Sequence, residues 1–128
     1  MSLVLADTSV WIAHFRAPNK VLQSLLAMDR VLCHPLILIE LACGTPPAPR
    51  ERTLGDLKKL QQAVTATTSE ILILIESKHL HDAGCGAIDI SLLASVRLTR
   101  DARLWTMDKN LAALAAQLGV DFSAAELT

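Results

Sequence analysis

Tyrosine is absent from this sequence of 128 residues, and phenylalanine and tryptophan contribute only two residues each. So few aromatic side chains argue against base stacking as the main source of any affinity for nucleic acids. The formal net charge is −1, so the chain also lacks the excess of basic residues that tight nonspecific binding to nucleic acids requires. Both shortages argue against a broad basic or aromatic binding face.

Cysteine is scarce as well, with three residues and no Cys-x-x-Cys spacing. Three cysteines cannot all pair within one chain, so we interpret them as reduced thiols. The longest apolar runs, such as Leu36–Ile39 and Ile71–Ile75, are far too short to span a bilayer. The amino terminus has no basic leader, and Asp7 interrupts its apolar stretch. We therefore expect a cytoplasmic protein without membrane contact. No Walker-type glycine loop indicates binding of nucleoside triphosphates.

Apolar residues are plentiful, at 52% of the sequence, and suffice for a buried core. Short apolar runs alternate with segments of helical period, which predicts an α/β fold of helices around a central parallel sheet. No repeat or low-complexity segment divides the chain, so we expect one domain over residues 1–128. We predict strands at residues 3–6, 31–33, 104–106 and 120–122. We predict helices at residues 10–16, 21–26, 35–43, 50–63, 68–81, 88–98 and 111–118.

The first predicted strand ends on Asp7, and two hydroxyl residues follow it directly. In an open parallel sheet, ligands bind in the crevice at the carboxyl ends of the strands, so a carboxylate there is a candidate site residue. An aspartate just before a helix is equally typical of an N-cap. Taken alone, Asp7 fits both interpretations.

Two further acids lie where a helix is expected to be apolar. Glu40 belongs to a helix bounded by Pro35 and Gly44, and it has apolar residues three and four positions before it. Asp89 shares a helix face with apolar residues three, four and seven positions after it, near an N-terminus whose dipole favours negative charge. A carboxylate among apolar residues needs a partner, either a metal ion or an ion pair. The residues leave both open, and a strand over 35–44 would instead expose Glu40.

A fourth acid, Asp108, follows a predicted strand and precedes a helical stripe, as Asp7 does, although it is also a candidate N-cap. Asp101 lies close by in a polar turn, where a turn residue or an ion-pair partner is the simpler interpretation. Four carboxylates at one sheet edge repel one another by on the order of several kcal/mol unless a cation lies between them. Hard oxygen ligands suit Mg²⁺ or Mn²⁺. Because such ions activate water and stabilise phosphate charge during in-line displacement, the pattern predicts hydrolysis of a phosphate ester.

Four segments resemble the motifs of PIN domains, and more narrowly those of VapC-type toxins of bacterial toxin–antitoxin pairs. They are Val4–Ile12, Ile39–Gly44, Ile88–Ser95 and Leu104–Leu111, and each contains one of the four acids. Each motif alone is weakly specific, but together they occur in the right order and cover nearly the whole chain. The resemblance implies a PIN-like α/β/α sandwich with a central parallel sheet.

The resemblance also implies a metal-dependent endoribonuclease that acts as a toxin, uses Mg²⁺ or Mn²⁺, and cleaves RNA phosphodiester bonds. It implies that four acids form the catalytic and metal site: Asp7, Glu40, Asp89 and Asp108. Thr8 and Thr106 would be supporting hydroxyls that position water or an acid. The resemblance further implies a homodimer and a cognate antitoxin that wraps the groove and blocks the site.

The sequence departs from the family pattern at Leu93, one turn after Asp89, where some members carry a polar or acidic residue. This departure implies that a second metal ion is held weakly or only with substrate bound. Four basic residues near the third and fourth acids are candidates for contacts with the RNA backbone that read no bases: Arg97, Arg100, Arg103 and Lys109. Scattered surface charge is an equally good interpretation of each.

The sequence leaves two other functions open. One is a PIN-like module that binds RNA or protein with weak or no catalysis, and the other is a metal-dependent phosphoesterase with a different substrate. A zinc site is a third possibility, but no pair of its candidate ligands has the spacing of a structural zinc site. Those candidates are Cys33, His34, Cys43, His79, His81 and Cys85.

Overall fold

The structure, a computed structural model, describes residues 1–124, and its elements alternate between strands and helices. The strands are β1 (Leu3–Ala6), β2 (Val31–Cys33), β3 (Gln61–Gln62) and β4 (Ala102–Trp105). The helices are α1 (Thr8–Arg16), α2 (Lys20–Ala27), α3 (Pro35–Cys43), α4 (Arg50–Lys58), α5 (Thr68–Ser77), α6 (Ala87–Leu98) and α7 (Lys109–Gln117).

The four strands form one parallel sheet in the order β3-β2-β1-β4. From β1 the chain moves outward to β2 and β3, and it then returns to the opposite side of β1 to form β4. Because crossovers between parallel strands are right-handed, this change of direction puts helices on both faces of the sheet. The predicted α/β/α sandwich is confirmed. Such sheets open a crevice where the strand order reverses, which here lies between β1 and β4.

The core is centred on β1, whose side chains are covered on both faces. Val4, Leu5 and Ala6 are fully buried, as is typical of central strands in parallel sheets. Leu5 pairs in register with Leu32 of β2 and with Leu104 of β4. The strand that carries Asp7 at its end is therefore held by a neighbouring strand on each side.

Several helix boundaries follow from local capping, as predicted. Pro35 occupies the first turn of α3, and Gly44 is its C-cap. Thr67 and Glu70 form a capping box at the start of α5, in which each side chain accepts a hydrogen bond from the other residue's backbone N–H. These ends depend on residues within one turn, so the sequence alone predicts them.

The predicted helix over residues 50–63 is too long. Helix α4 ends at Lys58, and Gln61–Gln62 then pairs with β2 as a short edge strand. The backbone N–H of Ala63 continues this pairing by donating to the carbonyl of Cys33 at 2.9 Å. Two exposed glutamines carry no alternating apolar pattern, so only contact with β2 makes them a strand.

The helix predicted to reach His81 ends earlier, at Ser77. His79 adopts a left-handed conformation with φ of 54°, and the N–H of Leu80 donates to the carbonyl of Ile75 at 2.9 Å. This pattern closes the helix and turns Leu80 into the core, where it is buried. Burial of that one leucine explains the early end.

The strand predicted at residues 120–122 is reduced to a single bridge between Asp121 and Leu104. Leu104 donates to the carbonyl of Val120 and accepts from the N–H of Phe122, so the backbone pairing with β4 is confined to Leu104. Within residues 1–124, every helix is too short or too polar to cross a membrane.

Candidate active site

Asp7 lies at the carboxyl end of β1, beside the crevice between β1 and β4. Its side chain is 5% exposed, and its Oδ1 accepts a hydrogen bond from the backbone N–H of Val10 at 3.2 Å. Asp7 is therefore the N-cap of α1. The cap uses one oxygen only, so the capping and site interpretations are compatible.

Hydroxyl groups from two elements hold the same carboxylate. Ser9 donates to Oδ1 of Asp7, and Thr106, which follows β4, donates to Oδ2. Three donors thus orient the two oxygens of a buried carboxylate, and such donors stabilise its negative charge. Thr106, one of the two predicted supporting hydroxyls, therefore contacts a site acid directly.

The same two hydroxyls also hold the segment that leads to Asp108. The Oγ of Ser9 accepts from the N–H of Met107 at 3.0 Å, and the Oγ1 of Thr106 accepts from the N–H of Asp108 at 3.0 Å. Asp108 in turn caps α7 by accepting from the N–H of Leu111 at 2.9 Å. Ser9 was not predicted as a site residue from the sequence. Its position two residues after Asp7 was the signal that could have indicated it.

Glu40 reaches the site from α3. Its Oε1 accepts a hydrogen bond from the Oγ1 of Thr8 at 2.7 Å, which joins α3 to the first turn of α1. Glu40 is half-buried and lies in helix α3, so the alternative of a strand over this segment is wrong. Thr8, the other predicted supporting hydroxyl, therefore contacts an acid as well.

Asp89 lies in the first turn of α6, where the charges of the other three acids act on it. Burial raises the pKa of the Asp89 carboxyl above its ordinary value. The negative charges of the other acids raise this pKa further, in the order Asp108, Asp7 and Glu40. Four carboxylates from different parts of the chain therefore share one electrostatic environment.

Cys85 lies beside this group on the loop before α6. Burial raises the pKa of its thiol, and the charges of Asp89 and Asp108 raise it further. A thiol whose pKa is raised stays protonated and is a poor nucleophile and a poor metal ligand. Cys85 therefore contributes packing to the edge of the site.

Within residues 1–124, none of the four acids forms an ion pair with lysine, arginine or histidine. In the same range no three histidine, cysteine or acidic side chains form a ready-made ligand cluster. The donor set nevertheless fits a hard divalent cation, since it consists of carboxylate and hydroxyl oxygens without a compensating positive charge. Mg²⁺ in particular keeps several waters and needs only one or two protein carboxylates.

The predicted basic residues are not gathered at this edge. Arg103 donates to the carbonyl of Asp121 and to the hydroxyl of Ser2, at the amino ends of β1 and β4. Arg100 lies in the turn before β4 and makes a solvent-exposed contact of 3.9 Å with Asp101. This contact and the left-handed backbone of Asp101 agree with the prediction of a turn residue.

Two of the four basic residues lie on helices that carry site acids. Arg97 follows Asp89 by eight residues on α6, which is about 12 Å along a helix. Lys109 opens α7 directly after Asp108. Of the four, Lys109 is the one next to an acid of the site.

The histidines that suggested a zinc site have other roles or stand apart. His34 is 1% exposed, and its Nδ1 accepts from the N–H of Leu36 at 3.1 Å, while its Nε2 lies 3.0 Å from the Oγ of Ser95. It is a capping residue inside the core. His79 and His81 are exposed and contact each other edge to face.

The fold and the site define the class of protein. Residues 4–117 match the PIN domain family, which covers more than half of the chain, so the chain belongs to this family. Two relatives are similar over almost their full length: ribonuclease VapC32 of Mycobacterium tuberculosis strain CDC 1551 / Oshkosh and of strain ATCC 25618 / H37Rv. Each is 45% identical over 118 residues, which are 92% of this chain and 94% of the relative. The resemblance to VapC-type PIN ribonucleases is confirmed.

Proposed function

We propose that this protein is an endoribonuclease that cleaves RNA phosphodiester bonds with the help of Mg²⁺ or Mn²⁺. The observation that carries the proposal is the convergence of four acids at one edge of the sheet. Thr106 links Asp7 to the backbone of Asp108, Thr8 links Glu40 to α1, and the charges of these three acids act on Asp89. Carboxylates that repel one another in this way would be stabilised by a cation bound between them. The ribonuclease relatives supply the substrate class.

The four acids are the proposed metal-binding and catalytic residues. A divalent ion bound there would activate a water molecule and stabilise the charge that develops on the phosphate. Asp7 holds its oxygens in fixed directions through Ser9 and Thr106, and Thr8 holds Glu40. Side chains oriented in advance lose little entropy when the cation and substrate bind.

Lys109 is the proposed contact to a substrate phosphate, because it adjoins Asp108 at the start of α7. The backbone N–H groups of that first turn add a dipole of the same sign. A cation at this place offsets part of the repulsion between four carboxylates and a phosphate. We assign no substrate contact to Arg100 or Arg103, whose contacts lie at the opposite end of the sheet.

The test is cleavage of a mixed RNA pool in Mg²⁺ or Mn²⁺, with EDTA as one control and Asp89→Asn as the other. We expect cleavage that needs the metal and that Asp89→Asn reduces by roughly a hundredfold or more, the scale of one lost catalytic group. Asp56→Asn is the matched control, since Asp56 is exposed and pairs weakly with Lys59 at 3.9 Å. Cleavage that survives in Asp89→Asn would contradict the site, and no cleavage of any RNA would contradict the activity.

We further propose that the protein is the toxin of a toxin–antitoxin pair in the cytoplasm. The similarity to VapC-type ribonucleases supports this role. A cognate antitoxin would cover the acidic edge and exclude RNA. Induced expression is expected to arrest growth, and Asp7→Asn or co-expression of a short neighbouring reading frame is expected to relieve the arrest.

We also propose a homodimer that forms through the outer face of α5 and α6. Leu72, Ile73 and Leu98 are 56%, 66% and 44% exposed there, and a cavity of about 400 Å³ lies between the two helices. The rim of the cavity carries charges of both signs, from Glu70 and Arg97. A face with an apolar centre and charges of both signs is complementary to itself, as a two-fold interface requires.

A further inference from the structure

A groove runs from the acidic edge along helix α1, and none of the roles proposed above uses it. Its volume is about 440 Å³, within the range of sites that bind small molecules. Its walls are α1, the carboxyl end of α3 and the proline-rich loop that follows α3. Glu40 lines the groove as well as belonging to the group of four acids. The groove and the proposed active site are therefore continuous.

One face of α1 forms the long wall of the groove. Thr8, Ile12 and Phe15 are spaced by four and three residues, so they lie above one another on this face. Thr8 binds Glu40 at the acidic end, and Ile12 and Phe15 continue away from it. Ile12 is 41% exposed, which leaves an apolar surface open to a ligand.

Phe15 offers the groove an aromatic ring in a chain with two phenylalanines, two tryptophans and no tyrosine. The ring is half-buried and packs against that of Trp11, with the centroids 5.9 Å apart. Backing by a buried tryptophan limits the orientations of the ring, so little entropy is lost when a flat ligand binds against it.

Arg16 completes the groove at the end of α1. Thr8 and Arg16 are eight residues apart, which is about 12 Å along the helix. Within residues 1–124 the guanidinium of Arg16 forms no ion pair and no hydrogen bond. The groove therefore has carboxylates at one end, an apolar and aromatic wall, and a cation without a protein partner at the other end.

We propose that this groove binds one base of the RNA beside the bond that is cut, and thereby selects the cleavage position. The base would contact Ile12 and Phe15, and Arg16 would bind the neighbouring phosphate. An apolar and aromatic wall next to an unpaired cation fits a nucleotide, which has a flat ring and a negative charge. The inference rests on the proposed ribonuclease function, because the groove is continuous with the same acidic site through Glu40.

The test compares two groove variants, Ile12→Ala and Arg16→Gln, with two controls outside the groove. Met28→Ala shortens an exposed apolar residue after α2, and Lys58→Gln removes an exposed cation from α4. KM and the distribution of cut positions are measured on a mixed RNA pool. For each groove variant we expect a rise in KM of about tenfold, the scale of one stacked base or one phosphate contact, and an altered base preference beside the cut. Both controls are expected to match the wild type.

Binding is measured separately, as fluorescence anisotropy of a labelled RNA pool with the same variants in an Asp89→Asn background. We expect the groove variants to bind RNA about tenfold more weakly than Asp89→Asn alone. If the wild type cleaves RNA and the groove variants keep its KM, base preference and RNA affinity, the groove does not bind a base and the inference is wrong. If the wild type cleaves no RNA, the proposed function fails instead. Circular dichroism and Tm confirm that each variant is folded.

Discussion

Asp7 is the N-cap of α1 and also a residue of the proposed metal site, and a single carboxylate can serve both roles. One oxygen caps α1 and also accepts from the hydroxyl of Ser9, and the other oxygen accepts from the hydroxyl of Thr106. A buried carboxylate with this many donors has a fixed direction, which a residue at a metal or phosphate site requires. Asp89 differs, because burial and neighbouring negative charges act on it and its pKa is raised.

The first prediction concerns a single residue, Asp89, and the effect of Asp89→Asn on thermal stability. A carboxyl whose pKa is raised by folding contributes most to stability below its unfolded pKa, and this contribution is lost as pH rises through the folded pKa. At pH 7 the ionised carboxylate therefore lowers the free energy of unfolding, and Asp89→Asn is expected to raise Tm in metal-free buffer. Addition of Mg²⁺ is expected to raise Tm of the wild type and to raise Tm of the variant by a smaller amount. Differential scanning fluorimetry with and without EDTA measures both, and a lower Tm for the variant without metal would contradict the assignment.

The second prediction concerns Ser9, which joins Asp7 to the segment before Asp108. Ser9→Ala removes one donor from Asp7 and leaves the N–H of Met107 without its acceptor. Since residues that orient a ligand typically account for about 10- to 100-fold in activity or metal affinity, we expect a loss of this size. Ser9→Thr keeps the hydroxyl and is expected to restore much of the activity, whereas Ser24→Ala on the exposed side of α2 should change nothing. Equal activity in Ser9→Ala and the wild type would rule out a positioning role.

Helix α3 shows how one element carries a site residue to its place. His34 caps its amino end, and Arg50 of α4 donates to the carbonyls of Ala42 and Gly44 at its carboxyl end. Glu40 lies between these two fixed ends and meets Thr8 of α1. The position of Glu40 therefore depends on both ends of the helix.

The third prediction concerns His34 and pH. Its Nδ1 accepts a backbone N–H, so only the neutral ring caps α3, and burial lowers the pKa of His34. A histidine whose pKa is lowered by folding contributes stability above its unfolded pKa, and this stability is lost as pH falls below about 6.5. We expect Tm to fall as the pH is lowered from about 7 to about 5.5, on either side of that ordinary value. We expect His34→Asn to lower Tm at neutral pH and to reduce this dependence.

Thermal melts at several pH values measure this effect. A residual slope is expected in His34→Asn, because burial also lowers the pKa of His14, whose Nδ1 accepts the N–H of Asn19. His81→Asn is the control, since His81 is exposed. A slope in His34→Asn as steep as in the wild type would contradict the role of the cap.

At the scale of the whole molecule, the order β3-β2-β1-β4 decides where the proposed site lies. The reversal of direction at β1 brings Asp7 and Thr106 together, and the helices α3 and α6 carry Glu40 and Asp89 towards the same edge. The outer face of α5 and α6 lies elsewhere and presents exposed apolar side chains. The molecule thus separates its acidic edge from this exposed apolar helix face.

The fourth prediction concerns this face and the oligomeric state. Ile73→Glu places a charge at the centre of the proposed interface, and burying an unpaired charge there is costly. We expect the wild type to be a dimer and the variant a monomer by sedimentation velocity. Ile12→Glu changes an exposed isoleucine outside the face and should leave the dimer intact. A wild type that is monomeric at high concentration, or a variant that stays dimeric, would contradict the interface.

The sequence by itself determined the features that depend on neighbours within one turn. These include the helix starts at Pro35 and Thr67, the cap at Asp7, and the alternation that predicts a parallel α/β sheet. Four short motifs also indicated the family. Each motif is a contiguous run of residues, so it can be recognised in the sequence without knowledge of the fold. Local propensity and capping likewise act over a few residues, so a single chain shows them directly.

Only the tertiary structure decided the features that depend on contacts between distant residues. The strand Gln61–Gln62 exists because β2 offers it a partner, and α5 ends early because Leu80 is buried in the core. Ser9 became a candidate positioning residue only when Met107 was found beside it, 98 positions along the chain. The position of Arg103 at the amino ends of β1 and β4 also depends on contacts between distant residues, and so does the groove along α1. Such contacts form when the whole chain buries its apolar surface, so no local pattern records them.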